Sequence, residues 1–229
     1  MMSFKKGAGG EFTVRQRSLL KEALIFFACV MALIWSSDWL GKGWTYIVGF
    51  LIVVPLLLSF KLRGDSARDI GFCVYPSDLR WWWIGLGGLI VSALILVLVG
   101  YIITPNFWEN GAWVKKFSKV SFGYALGVPI QQFFAQGYFT SRLNQVWPNR
   151  HLFVAGLAGL LFGVVHLPNP VLTIGTWFFG TATAWFFLKA PNLYFLSLTH
   201  FILSHLVKNL IASPLIGRGC MQVGPGFWN

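Results

Sequence analysis

The stretch WWWIGLGGLIVSALILVLVGYIIT, residues 81–104, carries no charged side chain from end to end. About 20 mostly apolar residues in helical form cross the hydrocarbon core of a bilayer, so this stretch predicts a membrane-spanning helix. In lipid the backbone must satisfy its own hydrogen bonds, and a helix does so within a single segment. Six more apolar stretches flank it, at 23–40, 44–60, 120–143, 152–167, 171–188 and 193–211. Polar connectors separate them, among them 61–69, 106–119 and the turn Trp147, Pro148, Asn149, Arg150. The expected fold is all-α, a polytopic transmembrane helical bundle of about seven spans. A polar N-terminal segment at 1–18 precedes a transmembrane domain at 19–212, and a C-terminal loop follows at 213–229.

Composition agrees. Of 229 residues, 56% are hydrophobic and only 11% charged, whereas soluble domains carry about 25% charged residues. A water-soluble fold is excluded on that ground. The 17% aromatic content, with 12 Trp, suits a surface that meets lipid tails and headgroups. Net charge is +11, but the Lys and Arg are scattered between apolar runs, so they read as loop charges that orient helices, and no nucleic-acid partner is expected. Lys5, Lys6, Arg15 and Arg17 precede an apolar run too long for a signal peptide and without an Ala-x-Ala site, which predicts a retained first span. Alternating seven spans puts most Lys and Arg on the N-terminal side, which predicts a cytoplasmic N-terminus and an external C-terminus; Lys115, Lys116 and Lys119 oppose it. Cys29, Cys73 and Cys220 are isolated and form no CxxC pair.

Polar side chains inside hydrocarbon are costly unless partnered, so they mark where to look for function. The fourth span holds Gln131, Gln132 and Gln136. In an α-helix positions 132 and 136 share a face, while 131 points about 100° away. The fifth span closes on FGVVHLPNP, with Phe162 four residues before His166 and Asn169 three after it. The seventh reads LTHFILSH, with His200 one turn before Ser204 and His205 on another face. Taken singly, each could be packing glue between helices, at about 0.6 kcal/mol. Taken together, three glutamines and two histidines are better satisfied by one shared polar pocket. His151, beside Arg150, reads as interfacial. No carboxylate or cysteine joins the cluster, and two ligands from one helix want i, i+4 spacing, so neither a metal nor another cofactor is expected.

These motifs resemble those of the CAAX protease and bacteriocin-processing family, the glutamic intramembrane peptidases that include CAAX prenyl endopeptidases. The family's motifs are Glu-Glu-x-x-x-Arg, Phe-x-x-x-His and His-x-x-x-Asn, each on its own helix. Here the second is intact as Phe162 to His166. The third keeps His200 with Ser204 at the Asn position. In the first, Gln131 and Gln132 stand at the two Glu positions and Gln136 at the Arg position. The resemblance covers about 120–210. It implies a multi-pass protein of a bacterial or archaeal cell membrane, an endopeptidase-type activity on membrane-embedded or lipid-modified protein substrates, and a catalytic set of Gln131, Gln132, His166, His200 and Ser204, with Gln136, Phe162 and Asn169 toward substrate.

In the mechanism so implied, a glutamate and a histidine activate water while a histidine and an asparagine hold the oxyanion. A glutamine amide is not basic and cannot take the proton. All seven acids, Glu11, Glu22, Asp38, Asp65, Asp69, Asp78 and Glu109, precede the first motif. Loss of the acid at 132 together with the base at 136 avoids a stranded charge, which would cost about 3 to 5 kcal/mol. Three readings stay open: hydrolysis with His166 or His200 as base, a Ser204 nucleophile beside a histidine, and a catalytically inactive member that binds a hydrophobic peptide or a partner membrane protein. A small-solute transporter is disfavoured by the lack of an inverted repeat.

Overall fold

A computed structural model describes residues 12–73, 78–104, 122–217 and 220–228, except for the side chains at 41–43, 45–46 and 122–123. The connector at 106–119, with Glu109 and the three lysines, lies outside the described residues. So do Lys5, Lys6 and Glu11. Every described element is helical.

The first helical run, α1 (Val14–Arg63), has 50 residues. A straight helix would hold positions 22 and 63 about 60 Å apart, yet Arg63 Nη2 lies 2.9 Å from Glu22 Oε2. The run is therefore doubled back on itself. A Cβ on Gly49 would meet Leu33 Cδ2 at 3.7 Å, so the reversal lies midway between them, around Gly41-Lys42-Gly43. The two limbs correspond to the apolar stretches at 23–40 and 44–60. The helix starts at Val14, earlier than the apolar pattern indicates, because Thr13 and Gln16 form a reciprocal capping box.

Next come α2 (Leu79–Ile103), α3 (Phe122–Gln132) and a π-helical stretch, Phe133–Thr140, that runs on into α4 (Ser141–Val146). These are followed by α5 (His151–Val164), α6 (Pro170–Lys189), α7 (Leu193–Val207), a second π stretch (Lys208–Ala212) and α8 (Ser213–Ile216), with a closing 3₁₀ turn at Gly224–Phe227. Val14–Leu40, Leu79–Ile103, Pro170–Lys189 and Leu193–Ile216 are long and apolar enough to cross a bilayer. The second limb of α1 and the α3–π–α4 run lie alongside them. α5 has 14 residues, about 21 Å of helix against a hydrocarbon core of about 30 Å, so it is shorter than a full span.

Contacts sort the chain into two ends. At one, Glu22, Arg63, Asp65 and Arg142 meet, Lys189 reaches His151, and Leu193 N donates to Gly71 O. At the other, Leu167 and Asn169 meet the C-terminal segment, and Gly100 lies against Leu210. Successive passes alternate between these ends. Residues 220–228 do not trail away from the bundle as a loop: the closing turn packs on the first limb of α1.

The closest helix crossing joins α5 and α6. A Cβ on Gly159 would stand 2.1 Å from Thr181 Oγ1, and one on Gly163 would stand 2.9 Å from Thr173 O. Gly159 and Gly163 are spaced as in GxxxG, which lets backbones approach closely where lipid gives no hydrophobic drive to association. This crossing fixes the height of Phe162, one residue before Gly163, and hence of the turn carrying His166.

Candidate functional site

The turn after α5 presents His166. Its Nδ1 lies 2.7 Å from Phe162 O. A carbonyl only accepts, so Nδ1 carries the proton and Nε2 keeps a free lone pair. Thr176 Oγ1, which donates to Leu172 O at 2.7 Å, sits 3.2 Å from the same Nδ1 and braces the ring from α6. On α7, His200 is arranged the other way round. Gln132 Nε2 lies 3.0 Å from His200 Nδ1; the amide donates, so Nδ1 accepts and the proton is on Nε2. One imidazole offers a base and the other a donor. The Phe162 ring stands edge-on to both, with centroids 5.0 Å from His166 and 5.7 Å from His200. Phe179 closes on His200 from α6 at 5.1 Å.

Gln132 is fully buried, and its Oε1 has no hydrogen-bond partner among the described residues. Gln131 is exposed and lies on the wall of a cavity of about 570 Å³ bounded by both limbs of α1, by α3 with its π stretch, and by α5. Phe27, Phe50, Ile130, Phe134 and Leu161 contribute to an otherwise apolar lining, and Gln131 and His166 are its polar side chains.

The other sequence candidates lie elsewhere. Gln136, on the π stretch, donates to Thr183 Oγ1 at 2.9 Å and accepts from Thr140 Oγ1 at 2.8 Å. Its hydrogen bonds tie this helix to α6 and do not reach the histidines. Residues 132 and 136 each bond to a different helix, Gln132 to His200 on α7 and Gln136 to Thr183 on α6. Ser204 donates to His200 O at 2.5 Å and hydrogen-bonds Tyr124 OH; neither partner takes a proton from a nucleophile. Asn169 Oδ1 caps α6 by accepting from Leu172 N at 3.1 Å, and its Nδ2 holds the C-terminal backbone. His151 bonds Lys189, and His205 stacks on Phe201. Among the described residues no three His, Cys, Asp or Glu converge as a metal-ligand group.

A second polar cluster escaped the sequence reading. Arg142 is fully buried, with Nε 3.1 Å from Glu22, Nη1 2.6 Å from Asp65 Oδ2 and Nη2 3.0 Å from Ser59 Oγ. Arg63 adds its own ion pair to Glu22, and Tyr138 OH donates to Glu22 Oε1 at 3.1 Å. The Arg142 guanidinium lies 5.0 Å over the Phe60 ring. Two acids and two arginines balance, as burial of charge requires. Arg142 is ten residues beyond Gln132, about 15 Å along the run, so Glu22 and Asp65 are both committed and remote from the histidines. The readable signal was Arg142 inside the apolar stretch at 120–143.

Residues 113–206 match the family model described as Rce1-like, type II CAAX prenyl endopeptidase. This segment is similar to the CAAX protease family. No curated protein and no solved structure matches the chain. The CAAX-protease-like segment contains both histidines, the three glutamines, Asn169 and Ser204, and with the apolar helices it makes the chain a multi-pass integral membrane protein. The two limbs of α1, and with them Phe27 and Phe50 of the cavity wall, lie outside it.

Proposed function

We propose that this CAAX-protease-type protein captures a membrane-embedded or lipid-modified protein segment in the cavity beside His166, and that it does so without carboxylate-driven hydrolysis. The observation that carries this reading is the pairing of Gln132 with His200. A carboxylate there would accept a proton from water, whereas the carboxamide donates to Nδ1 and leaves a neutral, non-basic pair. Among the described residues no acid lines the cavity, and Glu22 and Asp65 are held by Arg142. The apolar lining suits a lipid chain or an apolar peptide, and the volume falls in the usual range for ligand sites of about 300–1,000 Å³.

The free Nε2 of His166 favours a second reading, slow hydrolysis with His166 as base and the Nε2–H of His200 toward the oxyanion. Loss of the glutamate would leave such an enzyme about 10²- to 10⁴-fold below its relatives. The two readings separate in proteoliposomes given a lipid-modified peptide. Capture gives saturable binding and intact peptide; binding with His166-dependent product supports slow hydrolysis; absence of binding rejects both.

A further inference from the structure

Asn169 does more than cap a helix. The cap uses only Oδ1. The amide N–H₂ reaches across the chain to two backbone carbonyls, Cys220 O at 2.9 Å and Gln222 O at 3.2 Å. Two residues before Asn169, Leu167 O accepts from Gly224 N at 2.7 Å. Between these contacts Val223 is extended, with φ −133° and ψ 164°, and its side chain enters the cavity wall alongside His166. Gly224 has φ +61°, and a Cβ there would meet Ile34 Cγ2 at 3.0 Å and Ile34 O at 3.1 Å; only glycine lets the backbone lie this close to α1. The result is a piece of main chain laid along the cavity wall beside His166. In these three hydrogen bonds it uses only its own backbone groups, and one small side chain, Val223, lines the cavity.

We propose that the Asn169 amide and the Leu167 carbonyl form a peptide-backbone clamp at the cavity wall, occupied here by the chain's own residues 220–224, which a captured peptide displaces. The inference rests on the capture reading and specifies how the peptide is held. Backbone hydrogen bonds read no side chain, so any extended segment can replace the resident one. Val223 fills little of the roughly 570 Å³ space behind it, so a ligand with a longer apolar group gains burial that the resident strap lacks. The strap thereby screens His166 while the cavity holds no ligand.

Cys220 reports on the strap. It is buried while the strap is seated, and that burial pushes its thiol pKa up, which further slows alkylation. The test uses the full chain with Cys29→Ser and Cys73→Ser in proteoliposomes. A short peptide bearing an isoprenoid thioether is the probe, and maleimide labelling of Cys220 is the readout. Saturating peptide should raise the labelling rate several-fold. Val223→Ala, which loosens the strap, should raise the rate without peptide and tighten peptide binding. Asn169→Ser, which keeps a capping oxygen but removes both donors, should also raise the rate yet weaken peptide binding. These opposite changes in affinity distinguish a clamp from general loosening. Peptide binding with Cys220 labelling unchanged, or both variants shifting affinity in one direction, overturns the clamp alone. Failure of the peptide to bind all three proteins overturns capture, and the clamp with it.

Discussion

Gln132 and His200, 68 positions apart in the chain, are hydrogen-bonded at 3.0 Å in the buried centre of the bundle. The pair is neutral, and its remaining acceptor, Gln132 Oε1, has no hydrogen-bond donor among the described residues. Replacing the amide with a carboxylate alters this one property and little else in shape. Gln131→Glu/Gln132→Glu is expected to convert capture into cleavage, raising product formation by about 10²- to 10⁴-fold. Mass spectrometry of a lipid-modified peptide after incubation with proteoliposomes reads the outcome. An unchanged product level would remove position 132 from any latent catalytic role.

His166 and His200 separate binding from turnover. With His166→Ala the cavity loses one of its two polar side chains but keeps its apolar wall, so peptide affinity should change little. Any residual hydrolysis by the wild type should disappear. Ser204→Ala should leave both quantities near wild type, because its hydroxyl is held by the His200 carbonyl and Tyr124. Parallel binding and single-turnover measurements check all three expectations, and a loss of turnover in Ser204→Ala alone would reopen the serine mechanism.

The Arg142 cluster predicts stability. Arg142→Met leaves Asp65 buried with only Gln145 and strips one partner from Glu22. Breaking a buried ion pair costs about 3–5 kcal/mol, while removing both charges costs less. Adding Asp65→Asn to Arg142→Met should therefore recover part of the loss. Denaturant unfolding in detergent micelles provides the comparison, and a double variant less stable than the single one would contradict the ion-pair account.

Gly159 and Gly156 form a matched pair on α5. A Cβ at 159 strikes Thr181 and the Trp177 carbonyl, while one at 156 meets nothing within 4 Å. Gly159→Val should cost at least the 1–3 kcal/mol or so typical of overpacking and displace Phe162. Gly156→Val should be close to neutral. Thermal midpoints of the two variants test the contrast.

The sequence made the spans and the histidine pair legible because both signals are local. Residues 81–104 are apolar throughout, and a histidine in hydrocarbon stands out wherever its partner lies. Three features were not legible. Glu22 and Arg142 are 120 positions apart, and nothing near either residue names the other. Gln136 pairs with Thr183, 47 positions further on, a partner on another helix that the apolar pattern does not encode. The closeness of His166 to His200 is the third: His166 follows a short α5 and His200 lies seven residues into α7, and only the fold brings both rings against Phe162.

The cavity draws its walls from two pieces of chain, one inside the matched segment and one before it. His166 and Gln131 sit on the family segment, whereas Phe27 and Phe50 stand on the hairpin before it. Selection can lengthen, shorten or reshape the accommodated ligand by exchanging side chains on that hairpin, leaving the polar residues untouched. Ligand preference and chemical competence are thus free to drift independently, and a survey of related chains should find the hairpin varying with cargo while the histidines track activity.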